Sequence, residues 1–186
     1  YLQSESFCNL SQAVARPTDA IESLRRKVRI AARIGTIQSL ATRYPYLRPS
    51  WGQHAREERL LGVDITGQMD CPMLREDGAD VVLREMRAEA RQQNAIDAAR
   101  LGIRPSMAIT CNKPSGNSSA FLDCAPGINA RKIRYGIRNA RVNTTSPIYR
   151  VLKACGVPMD PENGQRAETA TKWVVHFPMK APEGSV

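Results

Sequence analysis

The sequence predicts an α/β fold, in which strands and helices alternate around a mostly parallel sheet or barrel with its functional loops at the strand ends. Three segments carry this prediction. Residues 61–65 alternate apolar with small or polar side chains in the two-residue period of a strand. Residues 79–101 then have the apolar spacing of a long helix, with Gly102 after the last turn, and residues 107–111 have the composition of the next strand.

The segment before this core predicts a strand and one long helix. Residues 7–14 are a short apolar run, and Asp19 followed by Glu22 has the form of a helix-capping box. The helix is expected to extend to about Tyr44. Its second half should be buried more completely than its first, because a second apolar stripe is added there by Ile30, Ile34 and Ile37.

The later elements follow from turn residues and apolar periods. Pro45 and Pro49 bracket an irregular connection, and a short helix should begin near Asn117. A strand is expected at residues 133–142, with a bulge near Asn139 where the apolar phase shifts. The last two predicted elements are a helix and a buried strand, at residues 146–155 and 173–177.

Length and composition narrow the class of protein. The 186 residues, 42% of them hydrophobic, suit one globular domain or a piece of a larger protein. No stretch approaches the ~18 to 20 apolar residues of a membrane span. The net charge of +9 favours phosphate-bearing partners, either small nucleotides or nucleic acid. Five cysteines without a C-x-x-C spacing and only two histidines argue against a disulfide scaffold and a zinc site.

One candidate binding site is the turn at residues 114–119, with the sequence Pro-Ser-Gly-Asn-Ser-Ser. Gly116 lets the backbone approach a ligand closely, and free amides at the start of the following helix can bind an anion such as phosphate. The same turn is also compatible with an ordinary helix cap. The residues alone leave both interpretations open.

A second candidate is the stretch between Asp123 and Asp160, which contains no acidic residue. Seven basic residues give it a positive local field: Arg131, Lys132, Arg134, Arg138, Arg141, Arg150 and Lys153. Each of them could equally belong to a solvated face. As an alternative function the chain would be a basic nucleic-acid-binding module, but the stretch offers only Tyr135 and Tyr149 for base stacking.

The cysteines by themselves indicate no chemistry. Cys8 lies at the start of an apolar run, where a lone cysteine is usually a buried small hydrophobic residue. The same interpretation applies to the other four, Cys71, Cys111, Cys124 and Cys155.

Taken in order, several segments resemble the catalytic subunit of ribonucleotide reductases, most closely the adenosylcobalamin-dependent, class II enzymes. Residues 7–10, Phe-Cys-Asn-Leu, resemble the strand that carries one of two reducible cysteines in that family. The Lys-Pro-Ser-Gly sequence at residues 113–116 indicates the class II type. The other matching segments are a helix end, a barrel strand, the substrate-phosphate loop and two later strand segments, at residues 33–39, 58–67, 110–119, 137–142 and 174–178.

The resemblance implies that residues 1–186 are a single segment, the C-terminal part of a ten-stranded α/β barrel domain. In that family a loop inside the barrel carries a cysteine that becomes a thiyl radical and removes the 3′ hydrogen of a ribonucleotide. The loop and the earlier strands would precede this segment, so the N-terminal half of the reductase is implied as a partner, on the same or a separate chain. The segment alone is expected to be inactive.

The resemblance also implies roles for particular residues. Cys8 would be one of two cysteines that reduce the 2′ carbon and become a disulfide, and its partner would lie on the missing half, not among the other four cysteines. The phosphates of a ribonucleoside di- or triphosphate would contact the loop residues Ser115, Gly116, Asn117, Ser118 and Ser119.

The partners and setting of the protein are implied only through the family. They are adenosylcobalamin as cofactor, a thioredoxin-like or dithiol reductant, and a cytoplasmic location. Neither a membrane nor nucleic acid is expected as a partner, and no residue of the segment is expected to bind a metal.

Overall fold

The computed structural model describes residues 3–186, which divide into two compact units. The first unit comprises residues 3–131 together with 182–186, and the second comprises residues 132–181. The first has a parallel sheet and the second an antiparallel one. This mixed content of helices and strands agrees with the predicted α/β class. Among the described residues, no helix has the length and apolar character needed to cross a membrane.

The first unit is built from two parallel strands covered by helices. Strands β1 and β2 are Asn9–Val14 and Leu61–Thr66. Helices α1 to α5 are Ile21–Gln38, Pro49–Glu58, Pro72–Arg75, Ala79–Leu101 and Ser118–Phe121. Residues 107–111 run parallel to β2 and are hydrogen-bonded to it, for example from the amide of Val63 to the carbonyl of Ile109 at 2.8 Å. The strand predicted there is present as one isolated bridge beside β2.

Alternate residues of this sheet face the helices and form the core. β1 and β2 are paired without interruption, so paired residues share a face. The residues of the sheet that pack toward the helices are Ala13, Leu61, Val63 and Ile65. The side of α1 that meets them presents Leu24, Val28, Ala31 and Ala32 at helical spacing. Each fully buried Leu or Val contributes about 1.5 to 3 kcal/mol of transfer free energy.

Polar contacts join α1 to α4 along the outside of this core. Arg29 donates from Nε to Glu89 at 2.7 Å. Asn94 is buried, and its side-chain nitrogen donates to Thr36 at 2.9 Å and to Ser106 at 3.0 Å. The long helix is thereby fixed both to α1 and to the segment that leads into residues 107–111.

One prediction about α1 was wrong, and another was right for a different reason: more of the buried residues lie in the second half of the helix, but they are not on the predicted second stripe. The helix ends at Gln38, and turns follow it, so it does not extend to Tyr44. Its second apolar stripe is roughly half exposed, at Ile30, Ile34 and Ile37. The reason is that α1 turns its other stripe to the sheet, and two stripes on one helix cannot both face a single layer.

The connection after Pro45 was predicted to be irregular, but it contains α2. Pro49 is the first residue of this helix, a position where its missing amide costs no helical hydrogen bond. α2 ends at Glu58, and Arg59 has a left-handed backbone conformation at φ 45°. This tight ending leads directly into β2.

The second unit is a three-stranded antiparallel sheet with one helix. In chain order its elements are β3, α6, β4 and β5, at Tyr135–Asn143, Pro147–Ala154, Met159–Pro161 and Lys172–Lys180. The strand order is β3-β5-β4. The helix and both long strands agree with the predicted positions within a few residues.

Two finer predictions about these strands were wrong. β3 pairs with β5 without a break, so there is no bulge at Asn139. The shift in apolar phase instead places Ile137 on an exposed face, where it is 68% exposed, while Ala140 and Val142 lie on the opposite, half-buried face. β5 is also less buried than predicted, since Val175 is its one buried residue.

Candidate functional site

The face of the first sheet that points away from the core carries polar side chains near its middle and at the end of β2. The pairing of β1 with β2 sets Leu10 beside Gly62, Gln12 beside Asp64 and Val14 beside Thr66. Because partners in register share a face, these residues form one surface, which we call the site face. Cys8 immediately precedes β1 at one end of it.

The segment that carries Cys8 is positioned by contacts with α2. Phe7 packs against the rings of Tyr44 and Trp51, with ring centres 4.7 Å apart in both pairs. The buried carboxylate of Glu58 accepts hydrogen bonds from the Ser6 hydroxyl at 2.6 Å and from a backbone amide at 2.7 Å. These contacts set the position of the Cys8 backbone relative to the start of β2.

The sulfur atom of Cys8 lies above Gly62, next to a second cysteine. Cys8 is an exposed residue as a whole, but its sulfur is partly enclosed, and this desolvation raises the pKa of the thiol. The neighbouring Cys111 raises the pKa of Cys8 further, and the positive charge of Lys113 opposes the shift. Burial also raises the pKa of Cys111, followed by the negative charge of Asp64. From the sequence Cys111 was predicted to be a buried structural residue, and no sequence pattern indicates its closeness to Cys8.

The predicted phosphate loop closes on itself through its serines. The Ser115 hydroxyl accepts a hydrogen bond from the Ser119 amide at 2.9 Å, and the Ser115 carbonyl accepts one from the Ser118 amide at 3.1 Å. Within residues 3–186 the amides of Ser115, Gly116 and Asn117 have no acceptor. Gly116 has φ +56° and open space where a Cβ would be. The loop therefore has backbone donors to offer to a ligand.

The helix that follows this loop contributes less than the sequence predicts. α5 is four residues long, so its dipole is small, and Asn117 makes no side-chain cap. Ser119 is buried, and its amide is used inside the loop. An anion site here depends on the free amides before the helix.

A chain of hydrogen bonds joins the loop to the site face. The Ser118 hydroxyl donates to Gln12 Oε1 at 2.6 Å, and Gln12 Nε2 donates to Asp64 Oδ2 at 2.7 Å. Asp64 is 2% exposed, and its other oxygen, Oδ1, has no hydrogen-bond partner within residues 3–186. Gln12 and Asp64 were not among the predicted site residues, although their positions in the two-residue period of β1 and β2 place them on one face.

The far end of β2 holds the chain that follows the loop. The Thr66 hydroxyl donates to the Ala125 carbonyl at 3.1 Å and accepts from the Gly127 amide at 2.9 Å. Asp70 accepts two hydrogen bonds from the guanidinium of Arg131, both at 2.9 Å, and one from the Ala125 amide. These hydrogen bonds raise the pKa of Arg131. The loop is thus fixed at both of its ends.

The other predicted residues have varied environments. Cys71 and Cys124 are buried as predicted, whereas Cys155 is exposed. Arg131 is paired with Asp70 and Asp123, and Arg141 with Glu162 at 2.6 Å. The uncompensated charge suggested by the sequence of residues 124–159 is therefore reduced by acids outside that stretch.

A cavity of about 500 Å³ lies in the first unit, but its lining does not coincide with the site face. It is lined by residues of α1 and α4 and by Val63 and Ile65, which point toward the helices. Gln68 and residues 110–112, which include Cys111, complete the lining. Cys8, Gln12 and the loop serines do not line it. We place the candidate site on the site face because the Cys8 thiol and the free amides of the loop lie there.

Comparisons with known proteins show what the chain is similar to. No model of a protein family matches the chain. The adenosylcobalamin-dependent ribonucleoside-triphosphate reductase of Levilactobacillus brevis is 31% identical over 81 residues, which are 44% of this chain and 10% of that protein. The chain thus spans a small part of the length of this curated relative.

A solved structure extends the similarity to nearly the whole chain. The crystal structure of a B12-dependent, class II ribonucleotide reductase matches 95% of this chain and 28% of that one, with a TM-score of 0.76 and 18% sequence identity. At this identity the match shows a shared fold. The resemblance predicted from the sequence is therefore confirmed: the chain is similar, in sequence over part of its length and in fold over nearly all of it, to part of an adenosylcobalamin-dependent ribonucleotide reductase.

Proposed function

We propose that this chain is the part of a ribonucleotide reductase that holds the phosphates of the substrate and supplies one of the two cysteines that reduce it. The observation that supports this most directly is the site face itself. It carries the Cys8 thiol at one end, the loop amides at the other, and the hydrogen-bonded pair Gln12 and Asp64 between them. A nucleotide has the same layout, with a ribose to be reduced and phosphates to be held.

The role of Cys8 is to give up electrons together with a second thiol. Reduction replaces the bond from the 2′ carbon to oxygen with a bond to hydrogen, and the hydroxyl leaves as water. The two electrons come from two thiols, which become a disulfide that a thioredoxin-like or dithiol reductant must reopen. The second thiol of this reaction belongs, on our proposal, to the N-terminal half of the protein.

The loop would bind the terminal phosphates through its backbone. The free amides of Ser115, Gly116 and Asn117 are suitable donors for phosphate oxygens, and the open space at Gly116 lets them approach. The Ser118 side chain is already engaged with Gln12, so we assign it to holding the loop in place. Either a di- or a triphosphate fits this arrangement.

The first unit would form part of the ten-stranded barrel. Within the described residues β1 pairs with β2 on one side only, and the other edge of β1 is open. Leu10 on β1 is about half exposed, as are Ile30 and Ile34 on α1. A preceding strand and helix from the rest of the protein would cover this edge, and we expect the chain to be inactive without them.

Adenosylcobalamin would be the cofactor, as the name of the curated relative states for that protein. It would supply the radical chemistry. The site face offers a thiol, an amide, a carboxylate and loop amides, a set suited to a nucleotide and not to a large corrin ring. We assign the contacts with the cofactor to the part of the protein outside this chain and derive no step through it.

The experiment that tests the proposal replaces Cys8 with serine in the complete reductase that contains this chain. Serine cannot deliver electrons, so multiple-turnover reduction with a dithiol reductant should be lost, while nucleotide affinity stays nearly unchanged. Cys155→Ser, at an exposed position in the second unit, is the control and should retain full turnover. Sustained turnover by Cys8→Ser would remove Cys8 from the reaction.

A further inference from the structure

Two cysteines of this chain meet above one glycine of β2. The sulfur of Cys111 lies 2.9 Å and that of Cys8 3.0 Å from the point that a Cβ of residue 62 would occupy. The two sulfurs are therefore within about 6 Å of each other, whereas a disulfide needs about 2.05 Å. Gly62 allows this approach because it has no side chain between them.

We propose that Cys111 is a resolving thiol that captures Cys8 when Cys8 is oxidised by a peroxide. This inference rests on the proposed function only for the statement that Cys8 is a working redox thiol. It assigns to Cys111 a site of reversible modification, distinct from the disulfide that Cys8 would form with the N-terminal half during turnover.

The chemistry balances with a peroxide as the oxidant. Hydrogen peroxide converts the Cys8 thiol to a sulfenic acid and leaves as water. The Cys111 sulfur then attacks the Cys8 sulfur, the sulfenic hydroxyl leaves as a second water, and a disulfide remains. Two electrons pass from the two thiols to the peroxide. Capture at this stage prevents further oxidation of Cys8 to the irreversible sulfinic acid.

Cys8 lies just outside the regular pairing of β1, whereas the amide of Cys111 still donates to the Val63 carbonyl at 3.1 Å. Cys8 precedes the first residue of β1, and Cys111 follows the isolated bridge between Val63 and Thr110. To form the bond, each sulfur must move by up to about 2 Å, which requires the flanking backbone to adjust. A dithiol reductant can reopen this disulfide by thiol–disulfide exchange, which suits a protective and reversible bond.

The surroundings of the two thiols determine how the rate of their reaction with peroxide should depend on pH. Burial raises the pKa of both thiols above the ordinary value of 9.0, so the thiol forms dominate at neutral pH. The thiolate is the reactive form. The rate of the peroxide reaction should therefore keep rising as the pH increases beyond 9.0.

The test uses the complete reductase, reduced, freed of reductant and treated with hydrogen peroxide, then alkylated and mapped by mass spectrometry without reduction. We expect a peptide pair that joins Cys8 to Cys111. Cys111→Ser and Cys111→Ala should lack it and, where the partner cysteine of the N-terminal half is also replaced by serine, should accumulate sulfinic acid at Cys8. Cys124→Ser, a buried cysteine of the same unit, is the matched control and should keep the crosslink.

Two outcomes would overturn the inference. In one, the oxidised parent protein contains Cys8 joined solely to a cysteine outside this chain, a result that would still support the proposed function. In the other, Cys8 proceeds to sulfinic acid at the same rate with and without Cys111. If the crosslink forms but Cys8→Ser retains multiple turnover, the proposed function fails and the crosslinking inference stands.

Discussion

The two units of the chain use their strands in different ways. In the first unit β2 is buried along its whole length, with helices on one face and the chain after the phosphate loop against its end. In the second unit β3 alternates between exposed and half-buried residues, and Tyr135 and Ile137 lie on its exposed side. A strand covered on both faces fixes the polar groups that it carries, whereas an open face leaves them to water.

This difference explains where the candidate chemistry lies. Asp64 in the first unit is buried beside Gln12, away from competing water. His176 in the second unit also has polar neighbours, Asn139 at 2.7 Å and Asp160 at 2.9 Å, but these contacts are exposed. Hydrogen bonds at the surface exchange with water and position a side chain less firmly.

The largest expected contrast between the units concerns ion pairs. Arg131→Ala should lower the free energy of unfolding of the first unit by about 3 to 5 kcal/mol, because it leaves the buried Asp70 without its partner. Arg141→Ala removes an exposed pair with Glu162 in the second unit and should cost at most about 1 kcal/mol. Hydrogen exchange of β2 and β3 amides in the complete protein measures both changes. Equal losses of unfolding free energy would show that the two ion pairs do not differ in burial.

A smaller contrast concerns apolar side chains. Val63→Ala should cost about 2 kcal/mol, because it removes buried methyl groups from a packed core. Ile137→Ala should change stability by less than about 0.5 kcal/mol, because the side chain is exposed. The same exchange experiment applies. A large loss for Ile137→Ala would reveal that another part of the protein covers β3.

A comparison of substrate binding uses two glycines that have similar backbone conformations, one in each unit. Gly116 and Gly156 both have left-handed conformations, at φ +56° and +67°, with open space at the Cβ position. Valine strains either site, but only at Gly116 should it block the approach of phosphate. We expect KM for the nucleotide to rise about tenfold for Gly116→Val, about 1.4 kcal/mol of binding, and to stay unchanged for Gly156→Val. Equal KM values would remove the loop from the site.

The smallest expected effect is the loss of folding stability at acid pH that arises from Asp19 in the first unit. Burial alone would raise the pKa of Asp19, but hydrogen bonds from Lys27, Ser23 and the Arg16 amide outweigh it and lower the pKa below 3.8. A lowered pKa stabilises the fold above the unfolded value, and this contribution is lost as the pH falls through the folded value. Asp19→Asn should make stability less sensitive to pH below about 4, as followed by thermal unfolding. Identical acid profiles would contradict this role.

The sequence predicts the first unit better than the details of its site. Strand period and helix spacing located β2 and α4, because these elements are long and regular. The exposure of Ile34 was not predictable, since a sequence does not show which of two stripes meets the sheet. The meeting of Cys8 with Cys111 brings together three segments that are far apart in the sequence, and Gly62 on the third segment leaves room for both sulfurs.

Gly62 also restricts which amino-acid substitutions this protein can accept during evolution. Every amino acid that could replace it brings a Cβ to a point 2.5 Å from a methyl group of Leu10 and about 3 Å from two sulfurs. All three neighbouring atoms are ends of flexible side chains, so a Cβ at position 62 is accommodated by displacing them, the two sulfurs included. A saturating mutational scan should find that substitutions at position 62 impair function more than folding, with alanine the mildest of them.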